Sequence, residues 1–325
     1  MLVPQYWAEA RVQQKAGGRQ RTVRRFGWSD VSQQLAQQLA DERAQAAMAR
    51  LQAGETLPWR EPKVPYNGAE GVPIREEVIS RHGAVVITRN AYGALCLNTG
   101  NVLFADLDFE TGVPPRMWLA VFFCWFAAAL VVAIGWQAWG MAFLLVFAGV
   151  LLSYPLALLV LRIGSGLSGG AEQRALARIH AFSKANPDWH LRVYRTPAGF
   201  RMLALQRTFD PMEAEVARCF AALHADPIYR KMCLNQQCFR ARVSPKPWRM
   251  GVNRHLRPRP GVWPVAPEQL PARQEWVDHY NRLATGFAAC RFVERLGSDV
   301  SHPDALAVQR LHDELCRALT DLPLA

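Results

Sequence analysis

The chain has 325 residues, 38 Lys/Arg against 27 Asp/Glu, and a formal net charge of +11. With 50% hydrophobic residues it is neither a disordered chain nor a small disulfide-stapled one, and its length suits two modest domains or one interrupted domain. The charge is uneven: residues 1–116 carry 14 Lys/Arg against 12 Asp/Glu, residues 162–325 carry 24 against 15, and Met117 to Leu161 carry none. Arginines outnumber lysines 33 to 5, the bias of a GC-rich bacterial genome. Seven cysteines, none in a Cys-x-x-Cys pair, point to reduced and mostly buried thiols. The first residues lack a basic stretch followed by an apolar core, so no signal peptide is expected.

Residues 1–57 read as a β-hairpin (6–27, turning at Gly17-Gly18) followed by a long helix. Ser29 or Asp30 is the expected cap, Leu35, Leu39, Ala46 and Leu51 the apolar side, and Gly54 the stop. This module resembles the arm-type modules that integrases and plant transcription factors lay on DNA; a solvated hairpin packed on its own helix would look the same. Residues 58–116 form a strand-rich region. A proline-containing connector from Pro58 to Pro73 precedes strands at 84–88, 93–97 and 102–109, separated by turns at Asn90 and Thr99–Asn101.

The uncharged run of 45 residues follows. As one helix it would extend roughly 65 Å, about twice the hydrocarbon thickness of a bilayer. It breaks at Gly135-Trp136-Gln137-Ala138-Trp139-Gly140, where glycines and interfacial tryptophans suit a turn among headgroups. The expectation is a transmembrane hairpin over 117–162, with spans 117–135 and 140–162. Arg116, Arg162, Arg174 and Arg178 flank it and its tip is uncharged. Positive-inside logic therefore places both termini in the cytoplasm and the protein in a bacterial inner membrane. No ionisable residue lies at membrane depth, so the hairpin reads as an anchor, with no proton or ion relay.

Gly164–Gly170 reads as a flexible linker. Residues 163–257 continue with a helix at 171–185, a hairpin of 190–195 and 200–205, helices at 211–224 and 226–236, and a strand at 239–243. Residues 258–325 hold a Pro-rich loop and closing helices at 273–296 and 303–319. Strands before and after the apolar run can share one sheet. The expected fold is thus an α+β membrane protein, its two-helix hairpin inserted in or between cytoplasmic mixed α/β regions.

Asp106 and Asp108 stand two apart on a strand, hence on one face. Two carboxylates so close repel unless a cation lies between them, and Mg²⁺ with a substrate phosphate is the usual solution. A solvent-facing polar pair is the plainer alternative. Arg195-Thr196-Pro197-Ala198-Gly199-Phe200-Arg201 offers a small-residue turn and basic side chains that suit a phosphate. Together, Val102-Leu103-Phe104-Ala105-Asp106-Leu107-Asp108 and Thr196-Pro197-Ala198-Gly199 resemble the first two motifs of archaeo-eukaryotic primase-polymerase palms. That resemblance implies metal on Asp106 and Asp108 and a nucleotide at the turn. The whole chain also resembles a group of bacterial two-span membrane proteins, a resemblance that brings no activity with it.

From Tyr229 to Pro267 there are nine Lys/Arg and no acid, interleaved with Phe239, Trp248 and Trp263. Arg240, Arg242, Lys246 and Arg249 form its densest part. Such a surface suits anionic lipid headgroups or nucleic acid. Cys233 and Cys238 have no partner pair at zinc spacing, and His279, His302 and His312 read as ordinary helix histidines. No Walker loop is present. Two functions follow. One is a membrane anchor carrying a basic, phosphate-recognising domain. The other is a metal-dependent nucleotidyl or phosphoryl transferase, with Asp106 and Asp108 on Mg²⁺ and Arg201, Arg240 and Arg242 on phosphates.

Overall fold

The alternating N-terminal residues form the expected hairpin. In the computed structural model, which describes residues 3–16, 19–58, 72–109, 112–137, 139–167, 169–259, 261 and 263–325, β1 (Tyr6–Ala16) and β2 (Arg19–Ser29) pair antiparallel from Tyr6↔Ser29 to Ala16↔Arg19. The expected turn at Gly17-Gly18 and most of the proline connector lie outside the described residues. Helix α1 (Gln33–Gln52) packs on this hairpin. Its cap is Ser32, whose hydroxyl accepts from the Leu35 amide at 3.2 Å, while Ser29 closes the preceding turn by accepting from Val31 and Ser32.

The buried face of α1 is largely an alanine ridge, and of the residues expected there (Leu35, Leu39, Ala46 and Leu51) only Leu51 is buried. Ala36, Ala40, Ala44, Ala47, Met48 and Leu51 are buried, whereas Leu35 is 46% exposed. Gly27 is the reason. A Cβ there would lie 2.2 Å from both the Ala36 oxygen and the Ala40 nitrogen, so helix backbone rests directly on strand backbone. Only small side chains fit along that i, i+4 line. Gly54, at φ +93°, stops the helix where the sequence places the stop.

Two four-stranded sheets build the rest of the larger unit. One runs β10 (Arg291–Gly297), β7 (His190–Thr196), β8 (Gly199–Ala204), β6 (Phe104–Asp108). The other runs β3 (Glu77–His82), β4 (Val85–Arg89), β5 (Leu95–Thr99), β9 (Phe239–Arg242), antiparallel throughout. Each sheet draws strands from both sides of the uncharged run. One compact unit accordingly comprises residues 1–107 and 181–325, interrupted in sequence by a second unit of residues 108–180.

In the larger unit, two elements differ from the sequence expectation. The helix expected over 273–296 ends early: α7 spans Leu270–Ala284, and residues 291–297 leave it to become β10, an edge strand pairing with β7 around a bulge at Val293. Its charged and half-exposed residues give no clean period to read. The expectation also lacks β3, whose sequence Glu-Val-Ile-Ser-Arg-His carries little apolar alternation. The remaining helices, α4 (Gly170–Ala185), α5 (Ala214–Ala222), α6 (Pro227–Gln236) and α8 (Pro303–Cys316), fall close to their expected positions.

Acids at the head of β3 balance inward-pointing arginines from distant segments. Glu76 accepts from Arg240 Nη2 at 2.8 and 2.7 Å, and Glu77 accepts from Arg273 Nη2 at 2.7 Å with Arg89 Nε 3.8 Å away. All three arginines are buried.

The second unit holds α2 (Pro115–Trp136) and α3 (Trp139–Leu167), joined through Gln137 in a left-handed conformation. Pro115–Gly135 and Trp139–Leu161 are long and apolar enough to cross a membrane, each with mean hydropathy 2.5. The two helices pack on each other through small residues, with Ala129 and Ala133 on one and Gly149, Ser153 and Ala157 on the other buried. A Cβ at Gly149 would sit 2.4 Å from Trp125 Cδ1. Trp118 Nε1 donates to Ser153 Oγ at 3.0 Å and Trp125 Nε1 to the Leu145 carbonyl at 2.6 Å, so both indole donors are satisfied within the pair. Helix α3 continues through Gly164 to Leu167, over residues that composition suggests as linker.

Candidate functional site

Strand pairing sets the positions of the residues singled out by sequence. Neighbouring strands β6 and β8 bring Asp106 and Arg201 together, with Arg201 Nε 2.7 Å from Asp106 Oδ1 and Nη2 3.0 Å from Oδ2. Both carboxylate oxygens are thus engaged by a planar guanidinium, a bidentate geometry that only Arg provides. A Mg²⁺ ion at Asp106 would have to share those oxygens with Arg201. Arg201 is buried, and burial works against its charge, but the Asp106 carboxylate raises its pKa above the ordinary arginine value. Its remaining nitrogen donates to the Arg242 carbonyl at 2.8 Å and lies 3.4 Å from His312 Nε2. Asp108 is exposed at the end of β6.

The other expected anion ligands are distributed differently. Arg195 folds back on its own turn, donating to the Thr196 and Gly199 carbonyls. Arg240 is 3% exposed and committed to Glu76. Arg242 donates to the Ser244 carbonyl at 2.7 Å and the Ala325 carbonyl at 3.4 Å. Lys246 lies 5.5 Å from the ring of Trp248, beside Arg249 in the same 3-10 turn. Much of the basic density in the sequence is therefore spent on internal partners.

A cluster of outward cations lies further along the chain. The segment 251–257 and helix α7 enclose a groove of about 480 Å³, lined by Arg254, His255, Arg257, His279 and Arg282, with Glu275 as its acid. Arg254, Arg257 and Arg282 are exposed, and none has an ion-pair partner among the described residues. The floor is apolar and fixed. Trp276 is 7% exposed, stacks on Tyr280 at 5.3 Å and 12°, and donates Nε1 to the Arg254 carbonyl at 2.8 Å. Tyr280 Oη in turn contacts Ser244 Oγ at 2.6 Å and donates to the Pro245 carbonyl at 2.7 Å. Burial pushes the Tyr280 phenol up to about 12, so it remains a neutral donor. Arg254 and Arg257 belong to the basic stretch visible in sequence. Arg282 and His279 come from α7, and only an i, i+3 reading of that helix would have joined them to it.

A third group sits behind Arg201. Cys290, His312 and Cys316 are fully buried, and their Sγ, nitrogen and Sγ atoms lie within 4.8 Å of one another, the one such cluster of potential metal ligands among the described residues. His312 Nδ1 faces Asp313 Oδ1 at 3.2 Å, and Asp313 Oδ2 accepts from Gln309 at 2.7 Å and Arg192 at 2.9 Å. Burial opposes ionisation of Cys290, yet the Cys316 thiol and the His312 ring hold it well below an ordinary thiol. Cys316 is pushed well above that value, by burial first. The sequence signal for this cluster is the spacing of His312 and Cys316, four apart on one helix and so on one face.

Comparison with protein-family models, with curated proteins and with solved structures gives no match for this chain.

Proposed function

We propose that this protein is a two-span anchor that holds an anion-recognising α/β domain at the cytoplasmic face of a bacterial inner membrane. The observation that carries the reading is how little of the two apolar helices is covered. Only 11% and 17% of their most hydrophobic windows are buried, although each is over twenty residues long. Water does not tolerate that much contiguous hydrocarbon surface, and a bilayer does. The small-residue packing and the internally satisfied tryptophans are those of helices paired in lipid. Basic residues at both ends, with an uncharged tip, favour a cytoplasmic domain.

The ligand-recognising part is the groove of Arg254, Arg257 and Arg282. Exposed, unpaired guanidiniums around an apolar floor suit a phosphate-bearing molecule whose uncharged part rests on Trp276 and Val252. Two experiments test the proposal. Alkaline carbonate extraction should leave the protein in the membrane pellet, and tags at either terminus should be protected from external protease in spheroplasts. Release into the soluble fraction, or digestion of either tag, would overturn the topology. For the groove, the full chain in nanodiscs is titrated with a short single-stranded oligonucleotide and with anionic vesicles. Three phosphate contacts predict a log K against log salt slope of about −2 for the oligonucleotide. Wild-type affinity for both ligands in an Arg254→Ala/Arg257→Ala/Arg282→Ala variant would exclude this groove.

A further inference from the structure

We propose that Cys290, His312 and Cys316 form a zinc site that pins β10 to the end of α8. The three donors arrive from two places. Cys290 immediately precedes β10, while His312 and Cys316 occupy successive turns of α8, so the fold itself brings them together. Tetrahedral Zn²⁺ with sulfur at about 2.3 Å and nitrogen at about 2.0 Å sets ligand–ligand separations of roughly 3.5–3.8 Å. Cys290 Sγ already stands 3.9 Å from His312 Nε2, and the greatest separation in the set is within 4.8 Å. A contraction of about 1 Å at most satisfies the metal.

The surroundings carry the features that zinc sites need beyond their ligands. His312 turns Nδ1 to Asp313 and leaves Nε2 facing Cys290 Sγ, the carboxylate–imidazole–metal order that fixes a ligating histidine, and the metal would take the place of the 3.4 Å contact from Arg201 Nη1 to that nitrogen. Asp313 is itself held by Gln309 and Arg192, and Arg192 Nε is bonded to the Tyr194 hydroxyl at 2.9 Å, so the ring cannot swing freely. Charge also balances. Two thiolates neutralise Zn²⁺, and the neighbouring Arg201 is already matched by Asp106. Two sulfurs and one imidazole select a thiophilic cation over Mg²⁺ or Ca²⁺. The three buried donors join the edge strand of one sheet to the helix that closes it, and the fourth tetrahedral position falls to a water or another small ligand.

The test uses the full chain, solubilised in detergent under reducing conditions and reconstituted with Zn²⁺. Metal analysis should give one tightly held zinc per chain. X-ray absorption of that sample should show a shell of two sulfurs at about 2.3 Å with nitrogen at about 2.0–2.1 Å. The absorption measurement needs no variant, so it decides the matter even if cysteine substitutions fail to fold. Asp313→Asn, which leaves every ligand in place, should weaken zinc affinity by about 10- to 100-fold. Failure to take up zinc, or a shell of nitrogen and oxygen only, would overturn the site. So would a Cys290–Cys316 disulfide in protein alkylated at lysis.

Discussion

Glu76→Gln removes one charge and almost no volume from a side chain that is 2% exposed. In the wild type both Glu76 oxygens accept from Arg240 Nη2, and Oε2 also accepts from Thr88 Oγ1 at 2.6 Å. The glutamine amide can offer only one acceptor oxygen, so its NH₂ must face either a guanidinium or a hydroxyl that already donates. Arg240, 3% exposed, is then left as an uncompensated cation away from water. Breaking one side of a buried pair costs about 3–5 kcal/mol. With an m-value of about 3 kcal/mol/M in urea, the midpoint should fall by more than about 1 M. A Glu76→Leu/Arg240→Met double variant, in which neither charge is buried, should recover most of that loss. Urea unfolding of the full chain in detergent, followed by tryptophan fluorescence, reads both shifts. A midpoint within about 0.3 M of wild type for Glu76→Gln would refute the assignment of Arg240 to the fold, as would a double variant no better than the single.

Three other outcomes follow from named contacts. Asp106→Asn should cost about 1.5–3 kcal/mol by the same assay, less than Glu76→Gln because Asp106 is 31% exposed and water reaches Arg201's partner. Gly27→Ala places a methyl 2.2 Å from α1 backbone atoms, so the helix must lift. The expected loss is about 1–3 kcal/mol, read as hydrogen-exchange protection falling in residues 33–52 ahead of the rest of the chain. His190 has its pKa lowered, by burial first, while Nδ1 contacts the Val300 carbonyl at 3.0 Å and Ser301 Oγ at 2.9 Å. Its stabilisation is therefore present above the ordinary value of 6.5 and is lost as pH falls through the depressed one. Urea midpoints measured from neutral pH down to 5 should decline less steeply in His190→Gln than in wild type.

How much of this was legible in the sequence depended on whether the signal was local. The uncharged run, the Thr196–Gly199 turn and the strand of Asp106 announce themselves within ten or twenty residues. The alanine face of α1 does not, because it is dictated by a glycine on a different element. Leu35 and Leu39 looked like core only while that contact was unknown. The basic stretch was misleading in the same way. Arg240 finds its acid 164 residues earlier and Arg201 finds Asp106 95 residues earlier, distances over which charge counting cannot assign partners. Residues 291–296 failed for a different reason: an edge strand with one wet face and a bulge has no dominant period.

The arginines thus divide into two populations with different consequences. Those facing Glu76, Glu77 and Asp106 are counter-ions inside the fold, and a ligand phosphate would have to compete with a bonded carboxylate to reach them. Arg254, Arg257 and Arg282 face outward without an ion-pair partner among the described residues, and Glu275 is the one acid lining their groove. The backbone at Arg254 is anchored. The carbonyl of Arg254 is fixed by Trp276, Trp276 by Tyr280, and Tyr280 by Ser244 and Pro245 at the exit of β9. On the proposed reading, this anchoring of the backbone lowers the ordering cost of binding at Arg254 relative to a free loop. The count of 38 Lys/Arg therefore overstates the charge open to a ligand, because cations such as Arg201, Arg240 and Arg273 are matched by carboxylates inside the fold.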